Sequence, residues 1–177
     1  VDNALSSCGF AKKDNVPAPQ KISENASAHR DVAAVVEAPF IAEVTLLEGV
    51  AWVHNKTSKV KVEQGLKLKA MDRIETGDNS KVQVQFLGAQ SVVTENTLTV
   101  TPNSEVVIQE SNLSQSDEER RKVLLDLIRG RIRNKVEKDK FKNNEQSYFK
   151  VKMPGAVAGV RGTDFVTSIE IDGEEVV

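Results

Sequence analysis

The sequence predicts an all-β domain, a sandwich or β-roll of short antiparallel strands, behind a flexible N-terminal tail. Three observations predict it. The core-forming residues are mostly Val, Leu and Ile, with only 5% aromatics, and β-branched side chains suit a pleated surface. From about residue 41, apolar and polar residues alternate with period two, which puts one face of each segment inward. These runs are short, nearly evenly spaced and separated by Gly, Pro, Asn and Asp, as in all-β sandwiches and barrels. The expected division is a tether over 1–40 and a β domain over 41–177. Val1 is not a Met, and Val177 stands inside a strand-like run, so both ends are expected to be cut from a longer chain.

The tail comes first. Residues 9–40 are rich in Lys, Asn, Ser and Ala and contain Pro17, Pro19 and Pro39. Such a composition buries too little apolar surface to fold alone. Residues 28–38 read as a short helix stopped by Pro39. Glu43 to Val53 is strand-like, with Gly49 as a kink or bulge. Leu66-Lys67-Leu68-Lys69 alternates, and Thr76-Gly77-Asp78-Asn79-Ser80 is a dense turn signal. Lys81 to Phe86 alternates strictly and points Val82, Val84 and Phe86 at the core. Further strands are expected at Val92–Thr94, Leu98–Val100 and Val106–Ile108, with Pro102-Asn103-Ser104 as a break.

Residues 109–122 read as an exposed loop with one helical turn at Asp117–Arg120. Residues 122–129 read as helix or strand by pattern, and Gly130 with the alternation over 131–136 favours two strands joined at a glycine kink. Leu127-Ile128-Arg129-Gly130-Arg131-Ile132 echoes Leu46-Leu47-Glu48-Gly49-Val50-Ala51, a sign of internal duplication. Residues 138–146 form a solvated loop. Tyr148 to Met153 is a strand ended by Pro154-Gly155.

The composition excludes several function classes. A net charge of −2 opposes a generally basic nucleic-acid binder. One cysteine, Cys8, excludes an internal disulfide and any multi-cysteine zinc site. No apolar run approaches the length of a membrane span. The two histidines, His29 and His54, are not at metal-ligand spacing, and His54 reads as a surface residue beside a turn. No G-x-S-x-G and no phosphate-binding glycine loop occur. The expectation is a non-enzyme without cofactor or metal.

The segment Ala156-Val157-Ala158-Gly159-Val160-Arg161-Gly162-Thr163-Asp164-Phe165 is the most specific in the chain. Gly159 and Gly162 can take backbone angles closed to other residues, and the Asp164 carboxylate can accept a paired hydrogen bond from the Arg161 guanidinium. Gly159, Arg161, Gly162 and Asp164 therefore read as a structural turn; a partner-contact loop is the other reading. This segment resembles the signature of the FecR family of bacterial envelope domains. Asp72-Arg73-Ile74-Glu75-Thr76-Gly77, then Ser80 and an alternating strand, then Pro102-Asn103-Ser104, follow the family's order, so the likeness spans about residues 42–170. It implies a β-rich periplasmic module that binds or relays a signal. In the best-known members the signal comes from an outer-membrane receptor and crosses the inner membrane to a sigma-factor regulator.

Leu5-Ser6-Ser7-Cys8 resembles a bacterial lipobox, which makes Cys8 a lipidation candidate, although Asp2 and Asn3 stand where an apolar signal core would be ending. The two function classes are then a tethered envelope interaction module and the periplasmic part of a transmembrane sigma-factor regulator. The expected partner is an envelope protein, with no nucleic acid and with the membrane reached only through the tether. Residues 120–142 hold ten of the 24 Lys and Arg. Arg129, Arg131, Arg133 and Lys135 form a candidate patch for an anionic envelope surface; a solvated sheet face guarded by charge against aggregation is the other reading.

Overall fold

The alternation seen in the sequence becomes strand throughout the computed structural model, which describes residues 38–113, 120–137, 141, 146–160 and 164–169. Twelve strands occur among these residues. They are β1 (Phe40–Glu48), β2 (Ala51–His54), β3 (Lys59–Lys61), β4 (Lys67–Lys69), β5 (Arg73–Thr76) and β6 (Lys81–Leu87), followed by β7 (Val93–Val100), β8 (Glu105–Asn112), β9 (Lys122–Lys135), β10 (Tyr148–Met153), β11 (Ala156–Val160) and β12 (Asp164–Ile169). A single 3₁₀ turn, Ala89–Ser91, precedes β7. All of the described residues belong to one compact unit. Cys8, His29 and nearly all of the expected 28–38 helix lie outside the described residues.

Two curled sheets share β9. One runs β4–β1–β6–β7–β9–β12 and the other β3–β2–β5–β8–β9–β10–β11. All neighbours are antiparallel except β9 and β10, which are parallel. The result is the all-β architecture expected, a curled half-barrel. Val82, Val84 and Phe86 are fully buried, as their alternation requires. Phe149 sits among Phe86, Phe141 and Phe165, each edge-on with ring centroids 6.0–6.2 Å away, an arrangement that aromatic quadrupoles favour.

β9 is one continuous strand of 14 residues rather than two. Before Gly130 the buried side chains are Val123, Leu125 and Leu127; after it they are Ile132, Asn134 and Val136. The inward parity changes from odd to even at Gly130, whose φ is +82°. A strand that must face one sheet's core and then the other's needs one extra residue at the crossing, and glycine supplies the left-handed backbone. β1 and β2 repeat the device. Ala42 and Val44 are buried before Gly49, Ala51 and Val53 after it, and Gly49 has φ +73°.

The echo between the two segments extends to their partners. The amide of Val50, after Gly49, donates to Ser80 Oγ at 2.8 Å; that of Arg131, after Gly130, donates to Ser104 Oγ at 2.9 Å. Each serine follows an asparagine with positive φ, Asn79 and Asn103. A Cβ on Gly49 would lie 2.9 Å from Ser80 Cα, and one on Gly130 2.7 Å from Ser104 Cα. Even the flanking ion pairs correspond with their signs reversed: Glu48 with Lys81, and Arg129 with Glu105.

The expected loop at 109–122 is shorter than the sequence suggests. Gln109 to Asn112 extend β8 and pair with the start of β9, with Glu110 opposite Leu124 and Asn112 opposite Lys122. Their polar composition hid a strand because alternate side chains face solvent. Of the expected helical turn, Asp117 to Glu119 lie outside the described residues.

Candidate functional site

The hairpin of β10 and β11 carries the first half of the signature segment. Phe149 and Val151 of β10 are fully buried, and Lys150 and Lys152 are exposed. β11 pairs with β10 along its length, from Met153 opposite Ala156 to Phe149 opposite Val160. No described residue pairs with its other edge. Val157 is 61% exposed. Gly159 lies within β11, opposite Lys150, and its φ is not in the left-handed region. A Cβ there would meet only Lys150 Cγ, at 4.0 Å. Neither backbone angle nor local crowding demands glycine at this position.

Asp164 opens β12. Both of its carboxylate oxygens are engaged by Arg133 of β9, which donates from Nε at 2.8 Å and from a terminal nitrogen at 2.5 Å. These charge-assisted bonds hold the Asp164 carboxyl below its usual range and raise the Arg133 guanidinium. Arg161 and Gly162 lie outside the described residues.

The four basic residues of β9 divide at Gly130. Arg131, Arg133 and Lys135 project from one sheet face, and Arg133, Lys135 and Asp164 line a shallow polar cavity of about 160 Å³ with Gln83, Thr97 and Thr99. Arg129 belongs to a different assembly on the other sheet. It donates to Glu105 at 3.0 Å and reaches Glu75 at 3.4 Å. Glu75 and Glu105 stand directly opposite each other in β5 and β8, where like charges repel, and Arg129 lies between them.

This second assembly escaped the sequence reading. Arg73 pairs with Glu105 at 2.8 Å, Lys59 with Glu75 at 3.2 Å, and His54 Nε2 meets Glu75 at 2.7 Å. Arg73 also lies 3.2 Å from His54 Nδ1. A guanidinium can only donate, so Nδ1 accepts and Nε2 carries the proton that goes to Glu75. The bonds from His54 and then Lys59 pull the Glu75 carboxyl down. His54 thus orders a charge network instead of standing alone beside a turn. The residues come from β2, β3, β5, β8 and β9, and no local pattern joins them.

Among the described residues no group of three or more His, Cys, Asp or Glu side chains is placed to hold a metal, and no helix is long and apolar enough to cross a membrane. The arrangement offers contact surfaces and fixed charges. A family model described as FecR protein matches residues 72–177. The chain belongs to the FecR family. The match starts at Asp72, on the Asp72–Gly77 segment, and includes β11 and Asp164. FecR is a regulatory and signalling family associated with the bacterial envelope. No curated protein and no solved structure matches the chain.

Proposed function

We propose that this FecR-family chain is a non-enzymatic periplasmic module that binds an envelope protein and relays its presence, held at a membrane by a tether acylated at Cys8. One observation carries the binding role. β11 lies within the family match, its outer edge has no partner among the described residues, and Gly159 sits in it without a local need. Glycine within a strand marks a place where another backbone approaches closely. An open edge of small side chains accepts an added strand, with main-chain hydrogen bonds supplying affinity. Gly159 is then a contact position of this edge, Arg161, Gly162 and Asp164 serve as the structural turn, and Arg131, Arg133 and Lys135 favour an anionic partner face.

A photo-crosslinker at Val157, compared with one at Glu95 of β7, which does not pair with β11, tests this in cells. The expected result is one discrete adduct with an envelope protein from Val157 alone. Gly159→Ile should keep the Tm, since the space is open, and abolish the adduct. Equal adducts from both positions would sink the reading. The tether is tested separately: intact mass of membrane-extracted protein should show acyl chains, and Cys8→Ser should remove them. The same module suits the periplasmic part of a transmembrane sigma-factor regulator, and recovery of unmodified Cys8 in a membrane-spanning precursor would favour that form.

A further inference from the structure

The end of the half-barrel where the described chain begins carries an apolar and basic groove that neither reading above uses. It has a volume of about 460 Å³, and its walls include Phe40, Lys56, Lys67, Lys69 and Met71. Phe40, at the start of β1, is 39% exposed, and Met71, in the turn between β4 and β5, is 53% exposed. Lys67 and Lys69 lean over the Phe40 ring, with Nζ 5.6 and 5.1 Å from its centroid. Lys56 and Lys67 form no ion pair with a described residue.

Both turns that frame the groove are fixed by hydrogen bonds. Asn55 Oδ1 accepts the amides of Thr57 and Ser58 at 3.0 and 2.8 Å and so holds Lys56 at a turn tip. The Asp72 carboxylate accepts the Lys69 amide at 2.8 Å, and the Met71 amide donates to Ile108 O at 2.7 Å. This clamps Met71 at φ +72°, a left-handed conformation unfavourable for any residue with a Cβ. The turn therefore keeps an exposed apolar side chain at a strained position that glycine would fill without strain. Strain of this kind persists where it is useful.

We infer that this groove is a docking surface for an anionic phospholipid bilayer, reached by the folded domain itself rather than through the tether alone. Phe40 and Met71 enter the interface, while Lys56 and Lys67 sit at the headgroup phosphates with their alkyl stems along the apolar part. Lysine suits this role better than arginine, because its ammonium is a mobile point charge that does not demand one fixed partner geometry. Ala38, the first described residue, also lines the groove. The inference does not depend on acylation of Cys8.

The test uses the 177-residue chain as Cys8→Ser, sedimented with phosphatidylcholine vesicles that contain or lack phosphatidylglycerol. Binding is expected only with the anionic lipid and should vanish at high salt. Lys56→Gln with Lys67→Gln should weaken it by roughly tenfold or more, since each cation near an anionic surface contributes about fivefold. Arg131→Gln with Lys135→Gln should leave it unchanged. Met71→Gly should hold or raise the Tm, because the strain is relieved, yet weaken binding. The inference is overturned by absent binding, by equal binding to both vesicle types, by a loss confined to the Arg131 and Lys135 variant, or by full binding of Met71→Gly.

Discussion

Gly130 and Ser104 fit so closely that neither can change alone without cost. Ser104 Oγ accepts the Arg131 amide while itself donating to a nearby carbonyl, and the glycine backbone passes against the serine. Gly130→Ala adds left-handed strain to a steric overlap and should cost at least about 2 kcal/mol in chemical denaturation. Gly49→Ala should behave alike, since Ser80 stands in the same relation to it. Asp72 behaves differently. Burial pushes its carboxyl up, and this is partly offset by the Lys69 amide and ammonium. The folded chain therefore binds that proton more tightly than the unfolded chain. The ionised carboxylate then costs stability above the folded-state value, and the cost disappears as pH falls below the ordinary Asp range. Asp72→Asn keeps an acceptor for the Lys69 amide. It should hold or raise stability at neutral pH and flatten this part of the pH profile, as followed by Tm across pH.

Among the elements, β9 decides the architecture, because it belongs to both sheets and pairs with β7, β8, β10 and β12. The pair of Arg133 and Asp164 fastens β12 to it. Both side chains are largely exposed to solvent, so the effect of Arg133→Ala or Asp164→Ala on Tm should be small and should fade with salt. The double variant should lose less than the sum of the singles, because one interaction is removed twice. Arg161→Ala tests the turn expected from the sequence. Additivity with Asp164→Ala would show that Asp164 answers to Arg133 and not to Arg161. Asp164 has its folded-state value lowered, so its contribution is present above the ordinary Asp range and lost as pH falls through that lowered value.

At the scale of the molecule, one core of Val, Leu, Ile and Phe side chains underlies both sheets. Phe149 lies at its aromatic centre, with three phenylalanines around it. Phe149→Ala should destabilise the domain by about 3–5 kcal/mol, because the cavity left behind is enclosed from several directions. Over the other sheet, the His54, Lys59, Arg73, Glu75, Glu105 and Arg129 network joins five strands. Arg129→Ala would leave Glu75 and Glu105 facing each other, and the loss of Tm should shrink as pH falls through the lowered Glu75 value. Circular dichroism of the whole chain should be dominated by β structure.

The sequence by itself determined the strands and much of their facing. Val82, Val84 and Phe86 alternate, and a period of two states which side is inward without any knowledge of the neighbour. It also marked Gly49 and Gly130 as related breaks, because their flanking residues repeat. The segment from Ala156 to Phe165 pointed to the family that residues 72–177 match. Tertiary structure alone decided the partners. Which strand lies beside β9, and on which side of Gly130, depends on pairings across many residues of intervening chain, and local periodicity carries no information about register between distant strands. That is why Arg129 left its sequence neighbours for Glu75 and Glu105, why Asp164 met Arg133, and why His54 acquired Glu75. Lys56 and Lys67, separated by a charged and polar stretch, came together around Phe40 and Met71 for the same reason: strand pairing brings turns to one end of a sheet, and the turn sequences do not name their neighbours.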